Sequence, residues 1–332
     1  MSKLVTAVAH SNIALVKYWG KRDKRLNLPA VGSISLTLKA LSTTTAVSFK
    51  QKLKSDYFVL NDKQADGEKT GRVSRFLDII RKRGGLSLCA EVRSSNNFPT
   101  GAGLASSASA FAALAYAAMA AASLHTDKKE LSLLARQGSG SAARSIFGGF
   151  VEMRRGTRKD GRDAFSTQIA DPSFWDVRMV VAVTDTGEKK IASSEGMQST
   201  AITSPYYKAW IEASDTDIRE MRAAILKKDI EKVGELTENS CLKMHALMMS
   251  GRPALIYWNK ATVDILHFVQ ELRSQGLPAW YTIDAGPQVK VLTLPAYETV
   301  LMKKLAVVHG VRSVIVSSPG PDACILKEED AN

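Results

Sequence analysis

Cysteine is scarce: only Cys89, Cys241 and Cys324 occur in 332 residues. They lie far apart, form no CxxC pair and cannot all be bridged, which excludes a disulfide framework and gives no support to a zinc site. A reducing cytoplasm is the expected compartment, and the opening stretch 1–10 lacks the basic segment and apolar core of a secretion signal. No fixed-period repeat and no low-complexity tract is present, which excludes solenoids and biased tails. No long Lys/Arg block and no stacked-aromatic platform occurs either, so nucleic acid is an unlikely partner. Residues 101–124 carry no charge at all and are numerous enough to cross a bilayer. Twelve of them are alanine and four are serine, however. That hydrophobicity is weak while alanine is the best helix former, so a buried helix is expected and no membrane association.

What the chain has is size and positive charge. With 45% hydrophobic residues it can bury a large core, and its length favours two domains over one. Lys and Arg number 45 against 33 Asp and Glu, a formal charge of +12 that favours anionic partners such as phosphorylated metabolites, nucleic acid or a membrane surface.

The opening reads as strands at 5–9, 33–38 and 43–49, the last rich in β-branched residues. Apolar Phe76, Ile79 and Ile80 at helical spacing predict a helix over 72–83, stopped by Gly84-Gly85 and followed by a strand at 86–93. Asp127, three residues before Glu130, reads as the N-cap of a further helix. The apolar run 177–184 reads as a strand and the polar stretch 185–204 as a long loop. Helices at 217–226, 230–249 and 258–273 and strands at 279–283, 288–294 and 312–316 complete an α+β, two-domain layout, divided into 1–186 and 187–332.

Four segments carry candidate chemistry. Pro99-Thr-Gly-Ala-Gly-Leu-Ala-Ser-Ser-Ala108 runs straight into the alanine helix. Glycines let a backbone approach an anion, and a helix N-terminus offers unpaired N–H groups and about half a positive charge. Taken alone, the string would read as a loop capping a packed helix, and it lacks the Gly-Lys-Ser/Thr of a Walker loop. Asn12-Ile-Ala-Leu-Val-Lys-Tyr-Trp-Gly-Lys-Arg-Asp23 delivers Lys17, Lys21 and Arg22 beside Lys24, a crowding of cations that anions would relieve. Gly138-Ser-Gly-Ser-Ala-Ala-Arg-Ser145 sets two serines before an arginine whose planar fork suits carboxylate or phosphate. Ile283-Asp-Ala-Gly-Pro287 holds a lone acid in a turn, by itself more often structural than catalytic.

The first of these segments resembles the GHMP kinase phosphate loop, Pro-x-x-x-Gly-Leu-x-Ser-Ser-Ala. The other three resemble signature strings of the diphosphomevalonate decarboxylases, Asn-Ile-Ala-x-x-Lys-Tyr-Trp-Gly-Lys-Arg, Gly-Ser-Gly-Ser-x-x-Arg-Ser and Asp-Ala-Gly-Pro-Asn, with Gln288 standing where the family has its last Asn. The resemblance runs in order from about Asn12 to Pro287. It implies a GHMP kinase fold, with an N-terminal domain like ribosomal protein S5 domain 2, a C-terminal ferredoxin-like α/β sandwich, and an active-site cleft between them. It implies Asp284, Lys17 and Arg144 as catalytic residues. It implies Asn12, Tyr18, Trp19, Gly20, Lys21, Arg72, Ser139, Gly140, Ser141, Ala142, Ala143, Arg144, Ser193 and Ser194 around the substrate. ATP is expected at Ser94, Asn96, Pro99, Gly101, Gly103, Leu104, Ala105, Ser106 and Ser107. Mg²⁺ would be carried by the nucleotide, with Ser106 or Ser107 and no dedicated protein cage.

The implied reaction is ATP plus mevalonate 5-diphosphate to isopentenyl diphosphate, carbon dioxide, ADP and phosphate, performed by a cytoplasmic homodimer. Three alternatives stay open at this level. A mevalonate 3-kinase would stop after phosphorylation, a phosphomevalonate decarboxylase would take the monophosphate, and a remote reading of the +12 charge is nucleic-acid binding, marked by steep salt dependence without ATP turnover.

Overall fold

The computed structural model describes residues 3–99, 103–185, 187 and 191–330. The chain opens with β1 (Lys3–Val16), a small ribbon of β2 (Lys21–Asp23) and β3 (Leu28–Pro29), and β4 (Ser33–Lys50). Then come β5 (Tyr57–Leu60), β6 (Lys63–Gln64), α1 (Gly67–Gly84), β7 (Cys89–Asn96), α2 (Ser106–Ala121), α3 (Lys128–Gly138), β8 (Phe150–Met153) and β9 (Ser166–Ala170). The second half runs β10 (Arg178–Val183), α4 (Ser193–Thr203), α5 (Tyr207–Lys227), α6 (Ile230–Met249), α7 (Lys260–Ser274), β11 (Trp280–Ile283), β12 (Val289–Thr293), α8 (Glu298–Ala306), β13 (Ser313–Ser317) and β14 (Cys324–Asp330).

The first sheet has the path β14-β1-β4-β7-β5-β6, with β8 on β4 and β9 on β8. The expected strands 33–38 and 43–49 are one strand, because β1 runs antiparallel along β4 and the register shifts only at His10/Asn12 and Ala14/Val16. On this sheet lies α2, packed across β1 and β4. Its fully buried Ala112, Ala113, Ala115, Ala117 and Ala118 are small enough for close approach of helix and sheet. Sixteen residues span about 24 Å, short of a bilayer core, and among the described residues no helix is long and apolar enough to cross a membrane. The helix expected at 72–83 begins earlier, where Asp66 accepts the N–H of Lys69 at 2.8 Å, and ends at Gly85 in the left-handed conformation. Asp127 caps α3 as expected, accepting from the N–H of Glu130 at 2.7 Å.

The second sheet has the order β11-β12-β10-β13. Sequence reading divided the chain at 186/187, but β10 pairs with β12 and β13, while β14 returns to pair with β1. An apolar run announces a strand and not its partner, so neither assignment could be read from the residues themselves. The stretch 185–204 is not all loop, since it contains α4. That helix has no apolar stripe and is held by Gly196, Met197 and Thr200 against α5 and α6. One core joins the two sheets: Ile13, Leu15, Ile34 and Leu36 of the first meet Met179, Val181 and Leu292 of the second, with Met221 and Ile225 of α5. The seam between them positions the functional groups.

Candidate active site

Asp284 follows β11 in the turn before β12, and β1 brings Lys17 to it from the other sheet. Lys17 Nζ, 1% exposed, donates to Asp284 Oδ1 at 2.7 Å. Lys290 Nζ of β12, 0% exposed, stands 3.2 Å from Oδ2. Oδ2 makes no hydrogen bond of good geometry among the described residues, only this ion-pair contact. Burial opposes charging Asp284, but Lys17 and Lys290 outweigh it and hold the carboxylate well below the usual range. The pair is braced from α6. Ser240 Oγ accepts the backbone N–H of Lys17 at 2.9 Å, and Cys241 Sγ accepts that of Ile283 at 3.1 Å.

Arg144 lies in the 3₁₀ turn Gly140–Ile146 after α3 and is 2% exposed. Its Nε donates to Asn12 Oδ1 and Ser35 Oγ, both at 3.0 Å, and Nη1 donates to Ser33 Oγ. Asn12 Nδ2 in turn donates to Ser145 Oγ at 2.7 Å and to the Ser141 carbonyl at 3.1 Å. No carboxylate reaches ion-pair distance of Arg144 among the described residues, and burial lowers its pKa to about 10 despite the partial support of Asp284. A guanidinium held rigid by neutral partners and facing a cavity is a receptor for a carboxylate or phosphate.

The phosphate loop meets the Asp284 turn directly. Gly103 has φ +81°, a Cβ there would stand 2.9 Å from Gly286 Cα, and the Gly103 carbonyl accepts from Lys290 Nζ at 2.7 Å. Ala105, also left-handed, precedes α2 and gives it no side-chain cap, and with Ser106 and Ser107 it places the N-terminus of a long buried helix at the cavity wall. Ser107 Oγ lies 3.3 Å from Ser139 Oγ, which lies 3.4 Å from Ser141 Oγ, forming a row of hydroxyls across the gap.

Lys21 Nζ donates to Ser194 Oγ at 2.7 Å across the cleft. Burial, and then Arg72 and Lys24, push its pKa down to about 8. Arg72 lies over the Phe111 ring at 4.6 Å and donates to the Gly138 carbonyl at 3.0 Å. The Tyr18 hydroxyl is buried without a hydrogen-bond partner among the described residues, and burial pushes its pKa up, so it stays a neutral donor.

These groups line one cavity of about 670 Å³. It takes in Asn12, Lys17, Tyr18, Trp19, Lys21, Arg72, Ser94, Asn96, Gly103, Ala105, Ser106, Ser107, Ser139, Gly140, Ser141, Arg144, Ser193, Ser194 and Asp284. Other expected residues do not face it. Leu104, Ala142 and Ala143 are buried in hydrophobic clusters, where they pack the walls. Gly20, at φ +99°, lies against Tyr207, so it shapes the turn after Trp19. Pro99 is not part of the lining, and Gly101 lies outside the described residues. Gln288 is turned away, accepting the N–H of Thr184 at 2.6 Å and donating to the Asp185 carbonyl.

Sequence reading missed Lys290, because a lysine between Val289 and Val291 reads as the solvent side of a strand. It also missed the apolar end of the cavity, where Phe58 and Leu60 of β5 meet Val92 of β7 and Phe111 of α2. Among the described residues no cluster of three His, Cys, Asp or Glu side chains can hold a metal ion. A cation arriving on nucleotide phosphates would meet the hydroxyls of Ser106 and Ser107 at the α2 N-terminus.

A glycine-rich loop opening a buried helix, facing a cation-lined cleft between two α+β lobes, is the arrangement of the GHMP kinase type. Residues 9–166 match the diphosphomevalonate decarboxylase-like N-terminal domain and residues 179–318 the mevalonate 5-diphosphate decarboxylase C-terminal domain. The chain belongs to the diphosphomevalonate decarboxylase family. It is 37% identical to the diphosphomevalonate decarboxylase of Candida albicans, over 95% of this chain and 96% of the relative. The mevalonate diphosphate decarboxylase of Staphylococcus aureus superposes with a TM-score of 0.93 at 39% identity, covering 98% of this chain and 99% of that one. A structure of MDDEF in complex with MVAPP, AMPPCP and magnesium superposes with a TM-score of 0.91 at 36% identity, again over 98% and 99%.

Proposed function

We propose that the protein catalyses the ATP-dependent decarboxylation of mevalonate 5-diphosphate to isopentenyl diphosphate, carbon dioxide, ADP and phosphate. The observation that carries this reading is the grouping of Asp284 with two buried lysines beside both the phosphate loop and the carboxylate-free Arg144. The relative in complex with MVAPP, AMPPCP and magnesium supports both substrates and the cation.

In this reading the α2 N-terminus, with Ser106 and Ser107, holds the nucleotide phosphates, and Mg²⁺ bound there neutralises phosphate charge. The cavity end formed by Phe58, Leu60, Val92 and Phe111, near Ser94 and Asn96, receives the adenine. Arg144 and Asn12 hold the substrate carboxylate, while Tyr18, Lys21, Arg72, Ser139, Ser141, Ser193 and Ser194 surround the diphosphate. The tertiary 3-hydroxyl faces Asp284 Oδ2, the carboxylate oxygen with no good hydrogen bond.

A carboxylate held this far below its usual pKa is a weak base, so Asp284 orients the hydroxyl first. It takes the proton late, once bonding to phosphorus has made that proton acidic. The hydroxyl oxygen bonds the γ-phosphorus as the bond to the ADP oxygen breaks. The C–O bond to the new phosphate then breaks, with phosphate taking the electron pair. The electrons of the carboxylate C–C bond form the alkene as carbon dioxide leaves. Asp284, a weaker base than the transferred phosphate, passes the proton on to it, and the restored carboxylate stabilises positive charge developing at the tertiary carbon, while Lys17 steadies both the aspartate and the transferring group.

Purified protein with Mg-ATP and mevalonate 5-diphosphate is expected to release ADP and carbon dioxide in equal amounts. ADP alone would make the protein a kinase on this scaffold, and turnover only with the 5-monophosphate would reassign the substrate. With Lys21 at a pKa of about 8, diphosphate binding takes up its proton. KM for the substrate should therefore rise about tenfold between roughly pH 7 and pH 9, as the charged form is lost. Lys21→Met should flatten that slope, and a slope that persists would remove Lys21 from the diphosphate. A cytoplasmic location accords with the three free cysteines, and the homodimer expected from the resemblance is tested by sedimentation.

A further inference from the structure

We propose that Lys290 is a positioning residue for this reaction, tying the phosphate loop to the carboxylate of Asp284 so that the nucleotide-bearing loop and the catalytic acid are held as one unit. The inference rests on the function proposed above.

Charge balance gives no reason for Lys290 to be where it is. Lys17 already pairs with Asp284 at 2.7 Å, so a second ammonium leaves an excess positive charge, and burial opposes charging Lys290. Yet Lys290 is fully buried in a central strand of the second sheet. The two-residue alternation of β12 turns Val289 and Val291 into the core under α7 and α8, and Lys290 to the opposite face. There its ammonium has two partners from different parts of the chain, Asp284 Oδ2 at 3.2 Å and the Gly103 carbonyl at 2.7 Å. The backbone contact between Gly103 and Gly286 keeps loop and turn close enough for one side chain to bridge them. A displacement of the loop therefore moves the cation that opposes Oδ2.

The groups facing Asp284 are Lys17 from β1, Lys290 from β12, Arg144 from the 3₁₀ turn, and Cys241 and His245 from α6. Burial pushes the Cys241 thiol up and His245 down to about 3, so both are neutral near pH 6 and the charges that face the carboxylate are those of the lysines and Arg144. Lys290 helps depress the Asp284 pKa, so its loss raises the pH at which Asp284 takes a proton.

The test follows the Asp284 side chain by carboxyl-carbon NMR titration in the intact chain, in Lys290→Gln, which can still donate to Gly103 but carries no charge, and in Lys290→Arg, and compares their KM for ATP. The Asp284 midpoint of Lys290→Gln is expected to lie about one pH unit or more above that of the intact chain, with KM for ATP raised about threefold, and Lys290→Arg to return both towards their original values. An unmoved midpoint, or an unchanged KM for ATP, would overturn the inference. Should Lys290→Gln not fold, Gly103→Ala, which forces the loop off Gly286, decides: a raised Asp284 midpoint supports the coupling, and an unmoved one overturns it. That titration needs no turnover, so it separates this inference from the assignment of the reaction.

Discussion

Asp284→Asn is expected to lower kcat by about 10³-fold or more while KM for both substrates stays within a few-fold, because proton handling and stabilisation of a developing cation are lost together. The amide matches the carboxylate in size, so the turn and the contact between Gly103 and Gly286 should survive. Lys17 and Lys290 are left with no acid between them, which adds ground-state strain that tighter phosphate binding partly relieves. ADP and carbon dioxide should fall in parallel. If carbon dioxide fell while ADP release continued, Asp284 would act only in the elimination step. If both continued, the proposed chemistry would be centred on the wrong residue.

The second large effect belongs to Arg144. Arg144→Lys should reduce kcat/KM for mevalonate 5-diphosphate by about 10²-fold, the scale of losing one buried charged contact, even though the formal charge is kept. The guanidinium is held by Asn12, Ser33 and Ser35, and only a planar fork can make those bonds and present a further edge to a carboxylate. Arg144→Gln should be at least as damaging. Binding of the nucleotide analogue AMPPCP, followed by calorimetry, should change less than threefold in either variant. Loss of nucleotide affinity instead would mean that Arg144 serves the phosphate loop.

Much of this site was legible in the sequence because its residues are delivered in short strings. The end of a strand carries Lys17, Tyr18 and Trp19, one loop carries Ser139, Ser141 and Arg144, and a turn carries Asp284. Local chemistry and spacing identify such groups before their partners are known. The pairing of Lys17 with Asp284 joins the ends of strands on different sheets, which neither string reveals by itself. Lys290 was illegible for the opposite reason. Its meaning lies in Gly103 and Asp284, neither of which its own strand reveals, and an isolated lysine among valines resembles a surface residue. The helix α4 was hidden because its packing on α5 and α6, and no apolar period of its own, holds it in shape. Leu104, Ala142 and Ala143 bury their side chains in hydrophobic clusters, since a motif includes residues that shape a wall as well as those whose side chains line the cavity.

The return of β14 to the first sheet bears on how the molecule is made. β14 lies along the outer edge of β1, with Lys3 opposite Asp330, so the strand that opens the sheet is covered by one more than three hundred positions later. Until residues 324–330 leave the ribosome, the growing chain carries β1 with a bare row of N–H and C=O groups, the kind of edge on which strands of other molecules add. The first lobe therefore cannot be completed as an independent unit during synthesis. Its closure is a late, long-range event, slow because the loop it closes is nearly the whole protein.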